Sequence, residues 1–229
     1  MGRWAPHTGM TTVLTRTDEF LRGSGLFAPS VRTDRSWWWF LVMIVGFTPI
    51  YGGMMGSFQF DSAERIWQVV YSAMKVPMLL FATTLLCLPA FFVLNTILGL
   101  REDLRDSLRA ILGSQAGLSI ALAALSPMTR FWYFSTSDYR AALLFNASAF
   151  ALATVAGHVV MFRYYLSLMR RHGYHRLMWG AWLVLYAFVG IQVGWLLRPF
   201  VGSPGMPVTF FRAEPFSNAY VVVARLVFG

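Results

Sequence analysis

Few side chains in this 229-residue chain combine a type and a spacing suited to chemistry. His158 stands in an apolar run, and a neutral imidazole is a common metal ligand, so it is a candidate axial ligand for a haem or a chlorophyll-type pigment. Asn95 and Gln115 lie in comparable runs. Counted from the nearest charged boundary, all three fall roughly 5–8 Å deep if the runs are helices rising ~1.5 Å per residue. They are expected to form one polar layer, as interhelical hydrogen bonds or as the lining of a path. Asn146 and Gln192 make a similar pair nearer the opposite side. The most basic connector holds Arg163, Arg170, Arg171, His172, His175 and Arg176. Arg163, Arg170, Arg171 and Arg176 can face the phosphates of anionic phospholipid, each contributing about 1 kcal/mol at such a surface. Orientation of the chain in a membrane requires the same residues.

Other chemistry is missing. There is no His-Glu-x-x-His helix, no G-x-S-x-G elbow and no paired carboxylates. Ser135, Ser137 and Asp138 read as loop polar groups. The middle of each apolar run lacks Asp, Glu, Lys and Arg, the groups that proton relays and ion-coupled carriers use. No catalytic residue, no metal site and no cofactor is expected apart from the His158 alternative; bound phospholipid is.

The elements that must position these residues are five uncharged runs at about 37–59, 76–98, 110–128, 141–162 and 177–197. The run at 76–98 is 23 residues long, ~34 Å as a helix against a hydrocarbon core of ~30 Å. Backbone groups in hydrocarbon cannot bond to water, so each run must be helical, with Pro77 and Pro89 absorbed as kinks. Hydrophobic residues make up 57% of the chain and charged ones 13%, too apolar for a soluble globule. The fold class is therefore all-α: a polytopic integral membrane protein, a five-helix transmembrane bundle with interfacial helices at the N-terminal arm, at 61–75 and at the C-terminal end. Residues 1–35 form a cytoplasmic arm, 36–200 the transmembrane domain, and 201–229 an outer-face loop with a short C-terminal helix. In the arm, Thr17 is a candidate cap for a helix that lays Phe20, Leu21 and Phe27 on the membrane surface. Lys75 belongs at the boundary beside Trp67 and Tyr71, because a cation at the bilayer centre costs about 2.5–3.5 kcal/mol. The single cysteine, Cys87, lies mid-span. The first residues carry neither a signal-peptide h-region nor a myristoylation signal.

Small residues recur four apart: Gly52 and Gly56, Gly113 and Gly117, Ala149, Ala153 and Gly157, and Gly190 and Gly194. Such spacing lets helix backbones approach, within the bundle or against another subunit. The net charge of +9 is scattered between the runs, which argues against nucleic acid. With the arm inside, the inner segments hold 12 basic residues and the outer ones 7, so the N-terminus is expected in the cytoplasm and the C-terminus outside.

Two stretches, KVPMLLFATTLLCLPAFFVLNTILG and FVGIQVGWLLRPFVGSPGMPVTFFR, resemble bacterial five-span proteins similar in layout to the Yip1 family. The resemblance implies a bacterial inner-membrane location and a non-enzymatic scaffold or membrane organiser. It brings no catalytic residues, and the arm lacks the segments on which GTPase binding would rest. The expected role is thus a subunit of a larger membrane complex, by contact with other subunits or by self-association, or a membrane-organising factor. The alternative is a lipid-handling or channel-like protein using the Asn95, Gln115 and His158 layer. An enzyme would need its groups in the loop at 198–212.

Overall fold

A computed structural model describes residues 9–28, 31, 33, 35–60, 63–202 and 206–211. All the regular structure among them is helical. A 14-residue helix α1, Gly9–Arg22, leads through a single 3-10 turn at Gly25–Phe27 to the first long helix, α2, Arg35–Gly56. Then come α3, Ile66–Ile97, α4, Leu104–Ser135, α5, Tyr139–Arg171, and α6, Tyr174–Leu196. Five helices, α2 to α6, are long and apolar enough to cross a membrane, the make-up of a multi-pass membrane protein.

Short connections force the five to alternate in direction. One end of the bundle carries α1 and the turns at 98–103 and 172–173; the other carries the turns at 57–60, 63–65 and 136–138 and the described residues after α6. We call these the arm end and the loop end. Around the bundle α3 packs on α2, α2 on α4, α4 on α5 and α6 on α3, while α5 and α6 meet over a shorter stretch and complete a ring.

The glycine stripes account for the closest packing. A Cβ on Gly52 would collide with the Ser72 carbonyl and lie 2.8 Å from the Ala73 Cα, and one on Gly56 would lie 2.7 Å from the Gln68 carbonyl, so α2 and α3 touch backbone to backbone. Gly117 and Gly157 do the same for α4 and α5: their added Cβ atoms would lie 2.9 Å from Val160 and 2.7 Å from the Ser114 carbonyl. Gly113 faces the Tyr164 ring at 3.1 Å, whereas Gly190 and Gly194 meet only ordinary contacts with Thr83 and Leu79. The stripes of α2, α4 and α5 are therefore filled from within the chain.

Helix ends depart from the sequence reading. The segment expected as an interfacial helix at 61–75 is, from Ile66, the first part of α3, a single helix of 32 residues, ~48 Å long. Pro77 and Pro89 lie inside it, and Pro127 lies inside α4; each removes one backbone donor without ending the helix. Helix α4 extends through the aromatic turn at 130–135, leaving a connection of only Thr136–Asp138 before α5. There Asp138 caps α5, accepting from the Arg140 N–H at 2.9 Å, and Ser135 donates to the Phe131 carbonyl at 3.1 Å. Both bond to nearby backbone. Helix α3 stops at Gly99, whose φ of +70° is the left-handed conformation that closes a helix C-terminus, with the Leu100 N–H reaching the Asn95 carbonyl at 2.8 Å.

The arm also differs. Thr17 caps nothing; it sits within α1 and donates to the Val13 carbonyl at 2.9 Å. Phe20 and Phe27 are buried against Phe40 of α2, their ring centroids 5.8 and 5.5 Å from it, and only Leu21 remains outside. Phe20 and Phe27 therefore belong to the core and not to a membrane surface. The short C-terminal helix expected after 217 lies outside the described residues.

Candidate functional site

The expected polar layer is only partly assembled. Gln115 of α4 accepts from the Tyr186 hydroxyl of α6 at 2.8 Å. The His158 ring of α5 meets the same tyrosine edge to face, 6.5 Å between centroids, and its Nδ1 lies 2.8 Å from the Thr154 carbonyl. A carbonyl can only accept, so Nδ1 carries the proton and Nε2 keeps the lone pair in the neutral ring. Asn95 does not join; its amide donates to Phe91 on its own helix at 2.9 Å. Tyr186 is thus the hub, and amides alone were the wrong residues to count. Its apolar ring hides a hydroxyl that seeks a partner when buried.

A haem or chlorophyll-type macrocycle does not fit at His158. The residue is 6% exposed and its Nε2 is itself enclosed, with no hydrogen-bond partner among the described residues, so no open slot for a macrocycle lies beside it. Among the described residues no three of His, Cys, Asp and Glu are grouped as metal ligands.

Asn146 pairs with tyrosines and not with Gln192. Its carbonyl oxygen accepts from the Tyr51 hydroxyl at 2.9 Å, and its amide donates to Tyr133 at 2.6 Å and to the Ala142 carbonyl at 2.7 Å. One amide so clamps α2, α4 and α5 near the loop end.

Two buried cations sit one at each end. Arg109, next to the start of the apolar run at 110–128, is 4% exposed in the first turns of α4. Its guanidinium donates to the carbonyls of Val31, Leu26 (2.9 Å) and Ala28 (3.4 Å), and stands 5.5 Å from the Tyr164 ring. Tyr164 in turn donates to the Phe27 carbonyl at 2.8 Å. The planar fork of donors suits several carbonyls of one turn. Lys75, expected at a wet boundary, is fully buried, nine residues into α3. Its ammonium donates to the Pro199 carbonyl at 2.7 Å and lies 4.8 Å from the Phe210 ring. Beside it Gln68 donates to the Phe200 carbonyl at 3.1 Å, and so does Ser72. Pro199, Phe200 and Phe210 cover these groups, which is why a cation near Trp67 and Tyr71 is dry and not wet.

The basic connector divides. Arg171 bonds Asp103 at 2.8 Å and reaches Asp106 at 3.5 Å, with His175 Nε2 3.1 Å from the other Asp103 oxygen. Arg163 donates to the Leu21 carbonyl of α1 at 3.1 Å. Arg170 and Arg176 make no ion pair among the described residues. They stand at one end of a groove of about 440 Å³ between α5 and α6, walled by Phe162, Leu166, Met169 and Trp179.

No family model matches the chain, and comparison with curated proteins and with solved structures finds no match either.

Proposed function

We propose that the chain is a non-enzymatic membrane scaffold, either a subunit of a larger membrane complex or a Yip1-like membrane-organising factor, in a bacterial inner membrane with its N-terminus in the cytoplasm. The observation that carries this reading is how the interior polar groups are used. Gln115, Asn146, Arg109 and Lys75 each tie one element to another. They stiffen a platform and leave no joined polar layer for a path, since Asn95 turns to its own helix. What faces outward is an apolar belt, with Leu85 68%, Leu86 61% and Ile97 74% exposed on α3 and Val184 67% exposed on α6. Lipid or a partner helix can cover such a belt.

Extraction in a mild detergent followed by native mass spectrometry tests the proposal. A defined oligomer, or a stoichiometric complex with a membrane partner, is the expected result. A monomer that conducts ions or moves lipid after reconstitution alone into liposomes would overturn it in favour of the lipid-handling or channel-like reading.

A further inference from the structure

We infer that the groove between α5 and α6 holds one anionic phospholipid, its phosphate between Arg170 and Arg176 and its acyl chains running along the helices toward the bilayer centre. The inference goes beyond the scaffold proposal and stands or falls apart from it.

Three observations select this occupant. The first is charge. Of the four arginines in the connector, Arg171 is neutralised by Asp103 and Arg163 is engaged by the arm. Arg170 and Arg176 lie together on the groove, two guanidiniums whose forked donors match phosphate oxygens.

The second is shape. Phe162, Leu166 and Arg170 are four apart and so share one face of α5, and Arg176, Gly180, Val184 and Phe188 share one face of α6. A second, shallower depression of about 670 Å³ meets the groove at Arg176 and runs along α6 alone, past Leu177, Gly180, Val184, Leu185 and Phe188. From Arg176 to Phe188 is ~18 Å along the helix, close to the ~15 Å of hydrocarbon in one leaflet. A charged head at one end and an apolar trough one leaflet long is the outline of a phospholipid, and a soluble anion would leave the trough uncovered.

The third is an unused donor and an open place. The indole N–H of Trp179, one turn beyond Arg176 on the groove wall, has no acceptor among the described residues, at the depth where a lipid offers ester carbonyls. A Cβ added to Gly180 would meet nothing within 4 Å, so this glycine performs no packing within the chain and only widens the trough.

Native mass spectrometry of the full chain in mild detergent, titrated separately with phosphatidylglycerol and phosphatidylcholine of the same acyl chains, tests the inference. One phosphatidylglycerol should be retained about ten- to thirtyfold more tightly than phosphatidylcholine, as expected for two cations near an anionic group. R170A/R176A should abolish that preference, and R170K/R176K should restore part of it. R101A/R105A removes the same charge from the same end and should leave the preference intact. G180F keeps both arginines but fills the trough, in a place where no protein atom is displaced, and should release the lipid while the thermal midpoint is retained. Equal retention of the two lipids by the unmodified chain would overturn the inference. So would an equal loss in R101A/R105A, which would mean a diffuse surface attraction, or undiminished retention by G180F.

Discussion

Arg109 and Lys75 are the same device used at opposite ends of the bundle. Each is a buried cation with no ion pair to a carboxylate among the described residues, held by backbone carbonyls and an aromatic ring, and each fastens a peripheral segment to a long helix. They differ in how much of the fastening they carry. The guanidinium spreads over carbonyls at 26, 28 and 31 and is the central polar tie of the arm. The ammonium is a point donor on one carbonyl, and Gln68 and Ser72 hold the neighbouring residue of the same segment. A distributed tie should therefore depend on its arginine far more than a shared tie depends on its lysine.

Arg109→Ala is the largest expected break. It strips donors from several buried carbonyls at once, which costs about 3 kcal/mol and raises the population with an undocked arm on the order of a hundredfold. Limited trypsin digestion in detergent reads this directly, as faster cleavage after Arg22; an unchanged rate would refute the central role given to Arg109. Arg109→Lys should recover less than half the loss, because an ammonium cannot span the fork.

Lys75→Met should cost about 1 kcal/mol. The Pro199 carbonyl loses a donor, but the desolvation of a buried charge is removed too, and a methionine of similar length fills the space. The readout is maleimide labelling of a cysteine placed at Val201, which is 1% exposed. Labelling should rise less than tenfold in Lys75→Met and not at all in Arg109→Ala. If both ends loosened together in either variant, the two ties would be one cooperative unit and the contrast would fail.

These ties also mark where the sequence stops being readable. Five helices were legible because length and hydropathy decide them: no charge interrupts the run at 76–98, and hydrocarbon leaves the backbone no other fold. The ends were not, because Pro127 and the aromatic and charged residues at 130–135 look like a loop, while a proline costs a helix one bond and neighbouring helices supply the rest. The polar layer failed on depth. Asn95 is buried two residues from the end of α3, whereas Gln115 and His158 lie 11 and 13 residues inside α4 and α5, because those helices run on through the charged residues from which depth is counted in the sequence. The docked arm gave the weakest signal, since the partners of Arg109 are backbone carbonyls, which every residue possesses. The aromatic spacing of Phe20, Phe27 and Phe40 was the trace available, and it reads equally well as a surface helix.

Asn146→Ala removes the neutral clamp near the loop end and bears on whether charge is what makes a tie strong. Interhelical hydrogen bonds in membranes average ~0.6 kcal/mol, reaching ~1.7 at most. Tyr133 retains a bond to the Met55 carbonyl at 3.3 Å, and the Tyr51 hydroxyl loses its Asn146 acceptor but keeps Thr129 beside it. The expected loss is about 1 kcal/mol in denaturant unfolding of the detergent-solubilised chain. A loss as large as that of Arg109→Ala would show that number of bonds, and not charge, governs these ties.

Arg171→Ala should have the smallest effect, although the 2.8 Å contact of Arg171 with Asp103 is no longer than the 2.9 Å bond from Arg109 to the Leu26 carbonyl. Its side chain is 46% exposed, so water and salt already solvate the guanidinium, and Asp103 keeps His175 within 3.1 Å. Exposed pairs of this kind contribute about 0.5 kcal/mol or less. At 1 M salt, where the screening length falls to ~3 Å, the difference between Arg171→Ala and the unmodified chain should vanish. The Arg109→Ala deficit should persist, because ions do not reach a buried guanidinium held by the Leu26, Ala28 and Val31 carbonyls beside Tyr164. Equal salt sensitivity of the two deficits would mean that the arm is held by surface electrostatics, and that burial of Arg109 adds nothing to its grip.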